Sequence, residues 1–329
     1  MQYSFVTNVT QRRMKIMSNK YFEDICRLPQ MNLKKKLQEH LKTHYRGVTS
    51  GDGWLFAQGT FPVCLVAHMD TVHKEAPKQF VYEKGKLSSP QGIGGDDRCG
   101  IYMILNIIKR HNCSVLFLED EENGCVGAEK FINHPISDEL KFNYMIELDR
   151  KGKDDAVFYE CDNPEFEEFI TKDGDWVTDL GSFSDICTIA PEIGCAAVNL
   201  SCGYYNAHTT SEYVVLSEME NCIKKVCTLL ERTGPEDVFE YIEAVYSGKY
   251  YGSLGGWKGY EFDYGYGYKS TDGEHYFCIV YIENGEEKYS EYFANSDFEA
   301  LGMFFVDYQN LTYKDVVAIE DYGEDAYNL

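Results

Sequence analysis

The strongest constraint on the fold is an apolar run over residues 63–67 that ends at His68, with Asp70 two residues further on. Such a run predicts a strand that delivers an imidazole to its own C-terminal end. A carboxylate at this spacing can hold the ring by its other nitrogen, as metal-bound histidines usually require. For a single His-x-Asp, a hydrogen-bonded histidine in a turn is the commoner alternative. The other motifs of the chain are needed to distinguish a functional histidine from a structural one.

The same arrangement recurs along the chain. Three further predicted strands are followed by acids or by a histidine: residues 114–118 by Glu121 and Glu122, residues 144–148 by Asp149, and residues 196–200 by His208. Asp96 stands at the start of a helix predicted after a glycine-rich loop. Alternating strands and helices predict an α/β fold, with a mainly parallel central sheet and helices on both faces. Because ligands bind outside the carboxyl ends of such strands, these groups are expected to converge.

Two of these segments have other interpretations. The glycine-rich loop, residues 92–95, could be a phosphate loop, but no Gly-Lys-Ser/Thr follows and the third glycine of the dinucleotide fingerprint is absent. The acidic run, residues 119–122, would usually be a solvated charge run. Its position between a core strand and a helix predicted over residues 126–132 favours a functional site instead.

The composition divides the chain into three parts. These are an N-terminal tail over residues 1–19, a catalytic domain over residues 20–235, and a small C-terminal α+β domain of unknown role over residues 236–329. The last part holds 16 of the 26 tyrosines and 20 acidic residues against 5 basic ones, which sets it apart from the rest. It contains no known motif.

Local signals place some elements within these parts. Pro29 is predicted to divide the N-terminal helical region into two helices. Ser217 and Glu220 fit a capping box at the start of a long helix that closes the catalytic domain. Asn284-Gly285 predicts a hairpin in the C-terminal domain.

Charge and cysteine usage limit the partners and the compartment. The net charge of -23 argues against nucleic acid and anionic membranes, because both require a basic face. The 12 cysteines form no Cys-x-x-Cys pair, which favours reduced thiols in a cytoplasmic protein. The sequence has no apolar run of membrane-spanning length and no secretory signal.

Two histidines and three carboxylates form a donor set that suits Zn²⁺, with Mn²⁺ or Co²⁺ as alternatives. One ion rarely uses that many ligands, whereas two ions that share a carboxylate use them all. Glu121 then remains beside the site, suited to take a proton from a water. The sequence therefore predicts two zinc ions.

Together these residues resemble the co-catalytic di-zinc exopeptidases, which include peptidase T, the deblocking aminopeptidases and the leucyl aminopeptidases. The resemblance covers residues 20–235 and rests on His68-x-Asp70, Asp96-Asp97-Arg98-x-Gly100, Asp120-Glu121-Glu122-x-Gly124, Asp149 and His208. It implies that Asp96 bridges the metals. It also implies that His68 and Asp149 hold one ion, Glu122 and His208 hold the other, Glu121 is the general base, and Asp70 orients His68.

The chain departs from these families where they carry inserted domains. Between Asp149 and His208, and between His68 and Asp96, there is room only for the core. Because inserted domains often help to bind the terminus of the substrate, the resemblance does not define the substrate class.

The leading functional prediction is a di-zinc metallohydrolase that cleaves amide bonds, specifically an aminopeptidase acting on peptides. One alternative is a deacylase or amidohydrolase acting on N-acyl amino acids or other small amides. Another is a metal-binding module without catalysis. The expected partner is a peptide or small amide, with neither nucleic acid nor membrane.

Other side chains near the motifs remain open. Asp185 could bind the free amine of a substrate or cap a loop. Tyr204 or Tyr205 could donate to an oxyanion, although packing is the commoner role for such tyrosines. His73 is predicted to be a surface residue rather than a ligand.

Overall fold

The computed structural model describes residues 19–181, 183–244, 275–294, 300, 303–304, 307–308, 311 and 316–321. They fall into two compact units, the first ending at Glu243 and the second beginning at Ala244. The predicted N-terminal tail lies outside the described residues, apart from residue 19. The predicted boundary after residue 235 stays a prediction. Phe239, beyond it, exchanges backbone hydrogen bonds with Asn143 and Ala196 and so lies on the first unit.

The first unit is built on an eight-stranded sheet of order β1-β2-β6-β3-β7-β10-β8-β9. The strands of this unit are β1 (Gly47–Gly51), β2 (Trp54–Gln58), β3 (Phe61–His68), β4 (Val81–Glu83), β5 (Lys86–Ser88), β6 (Cys113–Leu118), β7 (Tyr144–Arg150), β8 (Asp155–Val157), β9 (Val177–Thr178), β10 (Ala197–Ser201), β11 (Tyr204–Tyr205) and β12 (Tyr213–Val215). The central strands β6, β3, β7 and β10 run parallel to one another. The predicted α/β fold with a mainly parallel sheet is thus confirmed.

The central strands are buried on both faces, which explains why they are almost continuously apolar. In β3, Val63, Leu65 and Ala67 enter one hydrophobic cluster, while Cys64 and Val66 enter a second cluster on the opposite face. His68 ends this strand and is itself fully buried. A polar ring at the end of a strand with two apolar faces must be satisfied by its neighbours at the sheet edge.

Helices cover both faces of the sheet. They comprise α1 (residues 19–26), α2 (Gln30–Leu41), α3 (Gly95–Ile107), α4 (Val126–Ile132), α5 (Pro164–Thr171), α6 (Asp185–Ile193) and α7 (Leu216–Arg232). Pro29 separates α1 from α2, as predicted. The predicted capping box of α7 is wrong, because the helix follows β12 directly and Val215 occupies the N-cap position without a side-chain hydrogen bond.

A second sheet of order β11-β12-β5-β4 lies within the first unit. It joins the short strands on either side of the His208 loop to the hairpin over residues 81–88.

The second unit contains β13 (His275–Glu283), β14 (Glu286–Ala294) and β15 (Val316–Asp321), in the order β14-β13-β15. The predicted hairpin is confirmed: Asn284 and Gly285 join β13 to β14 with φ values of 55° and 82°. Positive φ at both central residues is what a tight turn of this hand requires. Within the part of the chain that is described, no helix is long and apolar enough to cross a membrane.

Candidate metal centre

His68 lies between two carboxylates that come from different elements. Its Nε2 is 3.0 Å from Asp96 Oδ1 and 3.4 Å from Asp149 Oδ1. Asp149 lies near the end of β7, the parallel neighbour of β3, so the two strand ends bring ring and carboxylate together. The three side chains offer one ligand atom each within 4.8 Å of one another.

His208 forms a matching arrangement on the other side of Asp96. Its Nε2 is 3.2 Å from Asp96 Oδ2 and 3.1 Å from Glu122 Oε2. The two oxygens of Asp96 therefore face different histidines. This geometry is what a carboxylate shared between two ions needs.

Asp96 lies in the first turn of α3 but does not cap the helix. Gly94 occupies the N-cap position, and Asp96 has non-helical φ and ψ values of -80° and 105°. The peptide bond between Asp96 and Asp97 is cis. This departure from the helix leaves the Asp96 carboxylate between the two histidines.

Asp70 connects the His68 ring to the acidic loop. Its Oδ1 is 3.2 Å from His68 Nδ1, which leaves Nε2 pointing toward the cluster. The same carboxylate accepts the backbone N–H of Glu121 at 3.1 Å and that of Glu122 at 3.1 Å. One side chain thus orients the imidazole and positions the short 3₁₀ turn, Glu121–Asn123.

Glu121 lies within the same cluster as the two ligand candidates. It offers a carboxylate oxygen within 4.8 Å of ligand atoms of His68 and Glu122. Burial is the main reason that its pKa rises from 4.5 to about 8, with the charge of Asp149 adding to the effect.

Asp149 is held by three neutral side chains. Ser184 Oγ donates to Asp149 Oδ2 at 3.2 Å, and Tyr204 Oη lies 3.3 Å from Oδ1 and 3.0 Å from the main-chain oxygen. Asn199 Oδ1 accepts the Asp149 N–H at 2.9 Å. Tyr204 is therefore occupied with positioning Asp149, and Tyr205 donates instead to Glu218. The expectation that either tyrosine serves an oxyanion is not supported by these contacts.

Sequence reasoning missed two buried carboxylates that shape the site. Asp97 accepts the backbone N–H groups of His68 and Gly100. Glu212 accepts N–H groups of the glycine-rich loop and the ring of His73. His73 was predicted to be a surface residue, and this is wrong, because its side chain is only 9% exposed. The only feature of the sequence that pointed to these two carboxylates was their position close to motif residues.

The cluster concentrates negative charge, and its pKa values show the consequence. Burial opposes protonation of His68, but the Asp149 charge and hydrogen bonds to three carboxylates raise its pKa well above the usual value. Hydrogen bonds to Asp96 and Glu122 raise the pKa of His208 to about 11. Burial, followed by the charge of Asp96, raises the pKa of Asp149 well above its ordinary range.

The donor set fits divalent cations. Imidazole nitrogens and carboxylate oxygens are zinc ligands, and here they converge from separate elements. Glu122 Oε1 is buried and has no hydrogen-bond partner among the described residues, as expected for an oxygen that serves a cation. The chemistry of the donors and this orphaned oxygen therefore fit zinc.

Two further acids lie behind the cluster. Glu147 and Asp185 are both fully buried, and none of their carboxylate oxygens has a hydrogen-bond partner in the described part of the chain. Burial raises the pKa of each well above its ordinary value, with the charge of Asp185 adding to the effect on Glu147 and the charge of Glu121 adding to the effect on Asp185. Asp185 therefore does not cap a loop, and its role toward a substrate amine stays a hypothesis.

The parallel sheet and the histidine–carboxylate cluster at its strand ends are similar to those of the zinc exopeptidases. At the level of the family, the profile of Peptidase family M28 matches residues 57–176, a range that contains His68, Asp96, Glu121, Glu122 and Asp149. The predicted resemblance and the prediction of a zinc metallopeptidase are confirmed. No curated protein matches the sequence significantly.

Solved structures with this fold include three peptidases. Aminopeptidase PepT from Bacillus cereus has a TM-score of 0.55 and 14% identity, with 65% of this chain and 97% of that chain covered. A tripeptidase from Staphylococcus aureus has a TM-score of 0.54 and 13% identity, with 65% and 97% covered. An aminopeptidase from the archaeon Desulfurococcus kamchatkensis has a TM-score of 0.54 and 14% identity, with 70% and 99% covered. At such identities the likeness concerns the fold.

Proposed function

We propose that this protein is a two-zinc aminopeptidase that removes N-terminal residues from peptides. The observation that carries the proposal is the position of Asp96, whose two oxygens lie 3.0 Å from His68 Nε2 and 3.2 Å from His208 Nε2. In this proposal His68 and Asp149 would hold one ion, Glu122 and His208 would hold the other, and Asp96 would serve both.

Zinc ions held by these residues would supply Lewis acidity toward the scissile carbonyl and make an attacking water more acidic. The chain itself moves the proton. The Glu121 carboxylate accepts the water proton and returns it to the nitrogen of the departing amine. Asp70 keeps the His68 ring oriented, and Ser184 and Tyr204 keep Asp149 oriented.

The carboxyl groups around the proposed centre favour a substrate with a free amine. Glu121, Glu147 and Asp185 lie beyond the proposed ligands, and burial raises the pKa of all three, so each needs a nearby positive charge to ionise. A peptide α-ammonium supplies such a charge, whereas the carboxylate of an N-acyl amino acid does not. The names of the structural relatives, an aminopeptidase and a tripeptidase, support the same choice.

The proposal is tested with zinc-loaded, full-length protein and three substrate classes. Free-amine di- and tripeptides should release their N-terminal residue, while N-acetylated peptides and N-acyl amino acids should not react. Glu121→Gln, loaded with zinc in the same way, serves as the control for contaminating peptidases. Cleavage confined to N-acyl amino acids would make the protein a deacylase. Bound zinc without hydrolysis of any class would make it a non-catalytic module.

A further inference from the structure

The carboxylate of Glu212 is fully buried and lies against the glycine-rich loop that precedes α3. Its Oε2 accepts the N–H of Gly94 at 2.8 Å, and its Oε1 accepts the N–H of Asp96 at 3.0 Å. His73 Nε2 lies 2.9 Å from Oε2. The carboxylate is therefore bound by two backbone N–H groups and one imidazole.

The glycines of this loop allow the side chains of Glu212 and His73 to come close to its backbone. A Cβ on Gly95 would lie 2.9 Å from side-chain atoms of Tyr204 and Val214 and 3.3 Å from Glu212 Oε1. Gly92 passes so close to the His73 ring that a Cβ there would overlap it at 2.1 Å. The loop thus uses its N–H groups as an anion-binding loop does. The anion is a side chain of the protein itself.

Glu212 connects two proposed ligands of the same ion. Asp96, whose N–H it accepts, follows the glycine-rich loop, and His208 lies in the loop that leads to Glu212. That second loop is closed by the Glu212 N–H, which donates to the Thr209 main-chain oxygen at 3.2 Å. The two loops come from distant parts of the chain. Their ligand atoms nevertheless end 3.2 Å apart.

We infer that Glu212, with His73, is a positioning residue that sets the distance between Asp96 and His208 and so shapes the more exposed metal site. The inference rests on the proposed two-zinc function. Glu212 does not contact the ions. It acts through the backbone of Asp96 on one side and through the His208 loop on the other.

The charge and the two oxygens of Glu212 are both needed for this role. A glutamine has the same length but only one acceptor oxygen, and its NH₂ group would face a backbone N–H that needs an acceptor. A buried N–H left without an acceptor is unfavourable, so the loop is expected to shift. Supporting residues of this kind typically change metal affinity by about 10–100-fold.

The test is a Co²⁺ titration of metal-free full-length protein, followed by visible absorption, with circular dichroism as the check of folding. Wild-type protein should bind two ions. Glu212→Gln should bind the first ion normally and the second about 10–100-fold more weakly, with an altered spectrum of the second ion. Glu218→Gln makes the same chemical change nearby, where the carboxylate accepts from Tyr205, and should leave both ions unchanged.

Each result of the titration either supports or overturns the inference. If the wild type binds two ions and folded Glu212→Gln binds both with wild-type affinity and spectrum, the inference is overturned and the proposed function is untouched. If the wild type binds at most one ion, the two-zinc proposal fails and the inference fails with it. If Glu212→Gln does not fold, His73→Phe decides: a weakened second ion supports the inference, and two unchanged ions overturn it.

Discussion

The two halves of the proposed metal centre are built from different kinds of structure. His68 and Asp149 come from adjacent parallel strands, and their side chains are 0% and 9% exposed. Glu122 comes from a 3₁₀ turn, and His208 comes from a loop with a φ of 63° and is 57% exposed. One half is fixed by the sheet, whereas the other depends on loops.

This difference shows how a sheet edge can hold one rigid and one adjustable site. The strand-end half is supported by hydrogen bonds from Ser184 and Tyr204 to Asp149 and by the contact of Asp70 with the His68 ring. The loop half depends on two carboxylates, Asp70 and Glu212, that bind backbone N–H groups of the ligand loops. We therefore expect the first ion to bind tightly and the second to exchange more readily.

Asp96 belongs to both halves, so its removal should have the largest effect. Asp96→Ala should lose both ions and with them all hydrolysis, because neither half keeps enough ligands. Elemental analysis and initial rates measure this. Asp138→Ala, an exposed aspartate in a 3₁₀ turn, is the control. Retention of one full equivalent of zinc by Asp96→Ala would mean that the halves are independent.

Substitution of Glu121 should reduce the rate of hydrolysis without reducing zinc binding by either half. Glu121→Gln keeps the shape and removes the base, so kcat should fall by about 10²–10⁴-fold while the zinc content stays near wild type. Glu122→Gln, one residue further on, should instead lose zinc from the loop half. If Glu121→Gln loses zinc and Glu122→Gln keeps it, the two roles are reversed.

The loop half should release its ion first. When a chelator is added to zinc-loaded protein, we expect two phases, a fast loss of the ion from the loop half and a slow loss of the ion from the strand-end half. His208→Ala should lack the fast phase and keep the slow one. His134→Ala removes an exposed histidine elsewhere and should show both phases. A single phase in the wild type would remove the distinction between the halves.

The metal-free protein should lose stability as the pH rises, which is the smallest of the expected effects. Glu121 binds a proton more tightly in the folded state between pH 4.5 and about 8, and His208 does so between pH 6.5 and about 11. Because the folded state then holds more protons than the unfolded state, stability falls with rising pH in this window. The Tm of metal-free protein should drop from about pH 5 to about pH 8.

Zinc takes the place of those protons. The zinc-loaded protein should therefore show a flat or rising Tm over the same range. A parallel decrease with and without zinc would place the titrating groups outside the metal centre.

The strand-end half is the part that the sequence predicts well. Apolar runs that stop at His68 and Asp149 predict both the strands and their functional ends, because parallel strands bring their carboxyl ends to one edge. The helix predicted over residues 126–132 is also found with those bounds, as α4.

The buried carboxylates that support both halves are what the sequence does not reveal. Glu212 accepts the N–H of Gly94 and Asp97 accepts the N–H of His68, and such contacts between distant parts of the chain leave no periodic pattern. The predicted capping box at Ser217 and Glu220 failed for a related reason. The pairing of β12 with β5 carries the chain directly into α7, so tertiary structure replaced the local cap.

The most direct measurement is anomalous diffraction at the zinc absorption edge from crystals of the zinc-loaded, full-length protein. Two peaks about 3.5–4 Å apart are expected. One should contact His68 and Asp149, the other Glu122 and His208, with one oxygen of Asp96 on each. A single peak, or a second peak that Asp96 does not reach, would contradict the two-zinc centre.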